Sequence, residues 1–537
     1  MKSMRKEFEN LVATRRKTHD IQWERIARFV MPHKMDFITK RSYGDQTRGK
    51  DIYDPTAAVS MNVLSSHMHT SLTSPSAPWF SLRFQDPALN DDDESKEWME
   101  DCTKRMFNAI NDSNFVASVN ELYKDLCTFG TAAMEVTFVN NEREGFKLVF
   151  RPVHLADCVF CESVHGYVNK FFHEMKLTPY QVKELVGEDN LPQDLKDLME
   201  KKKDEEIKIL RCVKPNDDYD PGEKRKEARA YKSVYMWKDK ELLEDGFYEQ
   251  PYMVPRWDKI VGETYGFGPG TLALPDIETL NEAKRLELRS WEKAIDPPVM
   301  GMAGGVIGDL HLEAGGYTQV RDTRAIAPLH DQANWNAVQI KSGELRQNIQ
   351  AIFLIDQLIL PERPNATATE VTIRYEMMQK VLGGTLGRLQ SELLNPLVNR
   401  VFGIMYRNGQ LLDMPEELQG APYEVNNTGP MAKAQTSHEA QAIERMFNLM
   451  LGVGQMDPTV VDAVDMTKAI LSVAQQWGVP ADVTRSEEEI AAIQAEREQA
   501  QQAQAEAQQR GMDAQAQQQE AEATAANVGA MELVQGL

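Results

Sequence analysis

His154, Cys158, Cys161 and His165 bring four zinc-type donors into one short stretch, since imidazole and thiolate are the ligands that tetrahedral zinc sites use. Their setting argues against a metal. Cys158 to Cys161 falls in a predicted strand, where neighbours point to opposite faces, and structural zinc sites ordinarily come with their own small fold. His67 and His69 flank Met68 on a helical pattern, and a spacing of two sends them to different faces. The glycine cluster Tyr265-Gly-Phe-Gly-Pro-Gly270 is where a phosphate loop would be sought, but the Gly-Lys-Ser/Thr ending is missing there and everywhere else. Acidic pairs abound, none with a convincing nucleophile or metal partner. Asp91 to Glu94 reads as a solvated helix start, and Trp79 with Phe80 as packed core in preference to a partner anchor. No catalytic residue, metal or cofactor is assigned.

Composition narrows the classes further. At 537 residues the chain exceeds what a single core supports, so two or more substructures are expected. An apolar fraction of 42% suffices for real cores. A formal charge of −22 argues against a protein whose task is to grip phosphates, which needs clustered Lys and Arg. Five cysteines, an odd number in a long chain, point to a reducing compartment and not to a disulfide framework. Met1 to Asn10 reads as a charged helix start without the apolar centre of a signal peptide, and no apolar run is long enough to span a bilayer.

The elements follow from periodicity and breakers. From Glu7 to about Val139 the signals are helical. Met134 to Val139 and Phe146 to Arg151 then alternate as strands around a turn at Asn140 to Gly145. Strands continue through Val159-Phe160, the Gly166 turn and Tyr167 to Met175, then Ile207 to Val213 and Ala230 to Trp237, interrupted by a helix from Pro179 to about Val186. After the glycine cluster, Pro275 and Asp276 predict a helix start near Asp276. Its apolar residues Ile277, Leu280, Leu288, Trp291 and Ile295 suit one stripe, and Asp296-Pro297-Pro298 stops it. Val299 to Pro328 is glycine-rich and predicts short strands and turns. A second helix from about Trp335 to Ile355 should return antiparallel to the first. Helices of about 20 residues span about 30 Å, so the pair could wall a channel of that height. Pro361 and Pro364 force an exposed excursion before a long helix after Ala368, whose Gly383, Gly384 and Gly387 with Pro396 predict a bend or a close helix contact. Helical runs at Lys433 to Leu451 and Pro458 to Trp477 form a small bundle. Ser486 and Glu489 have capping-box spacing, and the Ala/Gln/Glu tail that follows lacks a leucine heptad. It forms either a barrel of parallel helices or a disordered tail beyond about Ala505; the preferred reading is helix to about Gln508 and flexibility after Gly511.

Several of these pieces together resemble the portal, or head-to-tail connector, proteins of short-tailed bacteriophages of the podovirus type. They are Trp23-Glu-Arg-Ile-Ala-Arg-Phe-Val-Met-Pro32, then Tyr53-Asp-Pro55 before a Ser/Met/His-rich helix ending in Pro78-Trp-Phe-Ser-Leu82. The glycine cluster with Leu274 to Asn281 is the third, and Ala368-Thr-Glu-Val371 opening a helix through Leu389 to Leu397 is the fourth. The resemblance extends over most of the chain. It implies a mostly helical α+β portal fold in a closed ring, with a wing over 1–274, a first stem helix at 275–296, a clip at 297–333 and a second stem helix at 334–356. A tunnel loop at 357–369, a spine helix at 370–410, a crown at 411–484 and a C-terminal barrel helix and flexible tail at 485–537 complete it.

The same resemblance implies a dodecameric homo-oligomer assembled in the bacterial host cytoplasm and placed at one vertex of the virion capsid. It would bind the terminase packaging ATPase, the major capsid and scaffolding proteins and tail adaptor proteins, with no membrane involved. Double-stranded DNA would pass through it without sequence specificity. Acidity suits such a duct, because like charge keeps nonspecific binding weak. A few bore cations suffice for backbone contact. The candidates are Arg363, Lys284, Arg285, Arg289, Lys293, Lys341 and Arg346; for Arg363 a solvated loop arginine is the competing reading, and for the others pairing with a neighbouring Glu. Two other classes stay open: another non-catalytic head-tail adaptor or tail component, normally smaller and without the two-helix stem, and an enzyme of the packaging complex.

Overall fold

In the computed structural model the described residues are 2–39, 47–86, 89–90, 92–141, 145–201, 205–223, 225–311, 317–324, 326–328, 335–358, 382–415 and 420–429, with a few helical positions between 445 and 502. Two compact units are present, residues 1–87 with 98–435 and residues 88–97 with 436–537.

The first unit opens with α1 (Lys2–Arg15), a π turn (Arg16–Asp20), α2 (Ile21–Val30) and α3 (Thr56–Leu72). Strand β1 (Phe80–Phe84) precedes α4 (Asp93–Asn111) and α5 (Phe115–Phe129). The first turn of α4 belongs to the second unit, where Asp92 accepts the Ser95 amide at 2.9 Å and its hydroxyl at 2.6 Å. That is a capped acidic helix start, as the sequence implied.

Central in the helical layer is α5, buried from Phe115 to Phe129 on most of its faces. It ends at Gly130, left-handed with φ 74°, whose amide donates to Leu126 O at 2.8 Å. Around it pack Trp23, Phe37 and Tyr265, whose rings meet one another or Phe129 of α5 edge-on or tilted at 5.2 to 6.3 Å.

The strands expected from alternation are present. β2 (Met134–Asn141) and β3 (Gly145–Pro152) form a hairpin with Asn141 opposite Gly145, and β9 (Tyr252–Met253) adds to the other edge of β2. β4 (Cys158–Glu162), β5 (Val168–Leu177), β6 (Ile207–Pro215), β7 (Tyr231–Trp237) and β8 (Lys240–Phe247) make a five-stranded antiparallel sheet in chain order. One face buries Met175, Ile209, Tyr235 and Trp237 under α6 (Pro179–Val186) and α7 (Gln193–Lys201). The other buries Val159, Phe172, Cys212 and Val234 under Phe8, Leu11 and Val12 of α1. Period-two alternation therefore feeds two layers at once. β8, β9 and α7 are elements that the sequence reading missed.

Three expectations are corrected. The Ser/Met/His-rich helix stops at Leu72, short of Pro78, because Pro75 and Pro78 cannot continue it. Phe80 to Phe84 is a strand instead, paired with β14 (Tyr423–Asn427), so Trp79 and Phe80 are buried and Trp79 stacks on Phe115 at 6.0 Å. The helix expected to start near Asp276 is longer. As α8 it runs from Pro269 to Ile295, because Gly268 is the extended residue before it and Pro269 takes its first turn. Pro275 is thus an interior proline, leaving the Thr271 carbonyl without its intrahelical amide. Asp296 ends the helix as expected.

Beyond α8, β10 (Val299–Gly301) pairs with β13 (Ile326–Pro328), and β11 (Val306–Ile307) with β12 (Gln319–Val320). α9 (Trp335–Ile352) then returns along α8, with Ile349 and Phe353 buried. It stops before the expected Ile355 because Leu354 turns left-handed, φ 60°. The excursion expected at 357–369, with Arg363, lies outside the described residues apart from its first two positions, which close the turn Ile355–Leu358. Residues 382–389 are helical, a π turn follows at Gln390–Leu394, and α10 (Asn395–Arg407) completes this segment. The irregularity near the three glycines is that π turn. A Cβ on Gly383, Gly384 or Gly387 would meet nothing within 4 Å among the described residues, so the close contact considered for them is not seen there. Most of 411–537, including the expected capping box at Ser486, lies outside the described residues.

Candidate functional site

The geometry that could do work is the α8–α9 hairpin and the joint that holds it. At that joint the glycine cluster lies directly on the end of α5. A Cβ on Gly268 would stand 2.9 Å from Gly130 Cα, and one on Gly266 would stand 2.5 Å from Gly130 O; one on Gly270 would strike Thr128 O. The glycines are there so that two backbones can touch. Hydrogen bonds close the contact: Trp257 N donates to Gly130 O at 2.9 Å, Gly266 N to Thr131 Oγ1 at 2.8 Å, and Phe267 N to Asp258 O at 2.9 Å.

Arg256 sits beside this joint with its side chain buried. Its guanidinium binds the carboxylates of Glu162 and Glu392 and donates to Gly166 O at 3.0 Å and Thr264 O at 3.2 Å, while its backbone amide reaches Glu392 at 2.9 Å. Glu162 is shared with Lys259 at 2.5 Å. One arginine thus fastens the β4–β5 turn, the segment before α8 and the π turn before α10. Burial alone would lower its pKa, but hydrogen bonds and charge from Glu392 and Glu162 raise it, so it stays charged.

A second fastening lies along the hairpin. Asn281 on α8 accepts the Tyr53 amide at 2.7 Å and donates to Asp51 O at 2.8 Å. On α9, Arg346 reaches buried Asp54 at 2.8 Å. The short stretch before α3 therefore holds both helices. Arg25 on α2 adds a two-pronged bond to Glu278, at 2.9 and 2.6 Å. Thr56 and Arg346 keep the Asp54 carboxyl below its ordinary range although burial pushes it up. Sequence reasoning singled out Tyr53-Asp54-Pro55 as a pattern but missed Asp54 as a bridge; it missed Arg256 and Gly130 altogether.

Of the candidate cations, Lys284 pairs with Glu287 at 2.6 Å, Arg285 with Glu282, Lys341 with Glu344 at 2.8 Å, and Arg346 with Asp54. Arg289 and Lys293 are exposed, with no ion pair among the described residues. The apolar stripe of α8 divides. Ile277 and Leu280 are buried, whereas Leu288 is 44%, Trp291 48% and Ile295 85% exposed; on the opposite face of α8 Leu286 is 52% exposed, and across the hairpin Ile340 on α9 is 63% exposed.

The zinc candidates do not converge. His154 is enclosed against Phe37, ring centroids 5.0 Å apart, and His165 stacks on Tyr167 at 6.0 Å. Cys158 opposes His173 across the ladder while Cys161 opposes Lys170, placing the two thiols on opposite faces. Among the described residues no three His, Cys, Asp or Glu side chains gather as a metal would need, and no helix is long and apolar enough to cross a membrane.

A two-helix hairpin tipped with short strands, riveted by glycine contacts to a mixed α+β body, defines a structural class of protein. Residues 2–484 match the family described as bacteriophage head to tail connecting protein, and the chain belongs to that family. It is 28% identical over 496 residues to the portal protein of Salmonella phage epsilon15, covering 90% of this chain and 88% of that protein. It is 24% identical over 498 residues to the probable portal protein of Bordetella phage BPP-1, covering 90% and 89%.

Proposed function

We propose that this chain is the repeating subunit of a portal ring at one vertex of a phage head, through which double-stranded DNA enters during packaging, is retained, and leaves through the tail. The observation that carries the reading is the hairpin of α8 and α9, whose distal half leaves Leu286, Ile295 and Ile340 exposed. Apolar positions on both helices suit a neighbour on either side, which is what a head-to-tail ring requires.

In this reading the hairpin is the stem, the short strands at its tip the clip, and the body with its five-stranded sheet the wing. The tunnel loop, crown and barrel occupy 357–369, 411–484 and 485–537, and twelve copies close the ring. The clip meets the terminase ATPase during packaging and tail adaptor proteins afterwards, and the wing seats against major capsid and scaffolding proteins. The subunit does no chemistry. Arg289 and Lys293, exposed on α8, are the foremost candidates for passing contact with the DNA backbone, and Arg363 remains one; Lys284, Arg285, Lys341 and Arg346 would have to exchange a carboxylate partner first. Negative-stain electron microscopy of the purified protein tests the ring. Annular particles with an axial hole are expected, and a monodisperse monomer at every concentration would refute it.

A further inference from the structure

The segment 382–394 combines three features that a packed helix ordinarily avoids. Gln390–Leu394 is a π turn, carrying one residue more than the α turn it replaces, and such insertions recur at functional sites. Just before it, Gly383, Gly384 and Gly387 occupy helical positions where a Cβ would meet nothing within 4 Å among the described residues, so close packing against those residues does not require them. Each weakens the helix relative to alanine by about 1 kcal/mol. Beneath the same stretch, Leu382, Leu386 and Leu389 border apolar crevices against Met68, Leu72 and Trp257. Leu386 and Leu394 border a second, beside Trp79. The segment is therefore wound loosely and carries three glycines that weaken it, while Leu382, Leu386 and Leu389 keep its underside buried.

One polar contact adds to those buried leucines in opposing its release. Glu392, inside the π turn, accepts the Arg256 amide at 2.9 Å and Nε at 3.0 Å. By contrast α10 beyond the turn is firmly seated, with Leu397, Val398 and Val401 fully buried and Arg400 bonded to Glu249 at 2.8 Å.

We propose that residues 382–389 form a movable arm, hinged on the π turn at Gln390–Leu394 and latched by Arg256 on Glu392. Closing the π turn to an α turn advances the arm by one residue, a rotation of about 100° and a slide of about 1.5 Å. That motion takes Leu382, Leu386 and Leu389 off the crevice while α10 stays in place. Two discrete windings of one helix, biased by one ion pair, make a switch and not a graded deformation.

Hydrogen exchange by mass spectrometry on the full chain tests the arm and the latch separately. Peptides from 382–389 are expected to exchange faster than those from 395–407. The triple variant Gly383→Ala, Gly384→Ala, Gly387→Ala should slow exchange of the arm by about fivefold per glycine, roughly a hundredfold together. Glu392→Gln should speed exchange across 382–394 by a larger factor than across 115–129. Equal protection of arm and α10, or an unaltered arm in the alanine variant, overturns the hinge. No change in Glu392→Gln, or an equal rise across 382–394 and 115–129, overturns the latch, the second by making the pair only a general clamp of the fold.

Discussion

Gly130 and Gly268 meet backbone against backbone, with no room on either for a side chain. Because Gly268 is the residue from which α8 springs and Gly130 the one on which α5 ends, this single contact sets where the hairpin leaves the body. Gly130 carries a double demand, since its φ of 74° is also strained for any residue with a Cβ. Gly130→Ala should therefore cost about 3 kcal/mol or more against urea, combining backbone strain with overpacking, and so more than Gly268→Ala, where overpacking acts without a positive φ. Urea midpoints of the two variants check it; equal midpoints would show that the conformation at 130 is not a separate demand.

Arg256 gives a second prediction with an internal control. Arg256→Met leaves Glu392 without its cation, whereas Glu162 keeps Lys259. Removing one side of a buried pair costs about 3–5 kcal/mol, and replacing both sides by apolar groups costs much less. Arg256→Met should lower the urea midpoint strongly, and adding Glu392→Leu should restore part of the loss. A double variant less stable than the single one would show that Glu392 has an independent structural role.

The parts legible in the sequence were those written in local periodicity. Alternation at Val136, Phe150, Phe172 and Val234 announced the sheets, and Pro297 with Pro298 announced the end of α8. What stayed hidden depended on contacts across the chain. Gly268 reads locally as a turn before a helix, and only Gly130, far away in sequence, reveals it as a backbone contact. Arg256 reads as a loop cation because nothing nearby discloses Glu392. Family membership was legible because ordered short patterns survive where such long-range partners cannot be read. The start of α8 was misplaced for a local reason: Pro275 with Asp276 looks like a helix opener in the sequence, yet the helix opens at Pro269, directly after the extended Gly268 that touches Gly130.

His154 provides a test by pH. Both ring nitrogens are buried without a hydrogen-bond partner among the described residues, and burial pushes the imidazole down to about 3; burial likewise takes His173 to about 4. In the unfolded chain each protonates near 6.5. The unfolded state therefore binds the extra proton first, and stability falls as pH drops below about 6.5, by up to about 1.4 kcal/mol per pH unit for each histidine. Asp54, held below the usual carboxylate range, contributes only below about 4. His154→Phe should consequently flatten the slope of stability between pH 6.5 and 4.5 while leaving the region below 4 sloped. Urea titrations across that range measure it, and an unchanged slope would mean that His154 takes up its proton without unfolding.

The exposed half of α8 makes the assembly itself testable on both faces at once. Ile295 is 85% and Leu286 52% exposed, so replacing them by serine removes little that the isolated subunit buries. Such substitutions ordinarily shift stability within about 0.5 kcal/mol. In a ring the same side chains would be desolvated against a neighbour, where losing each large aliphatic group costs on the order of 1.5–3 kcal/mol of association at every repeated interface. Leu286→Ser with Ile295→Ser should thus leave thermal unfolding of the subunit nearly unchanged while shifting sedimentation from rings toward small species. The opposite pattern, intact rings and a destabilised subunit, would place these residues in the body's own core and remove the distal hairpin from the subunit contact.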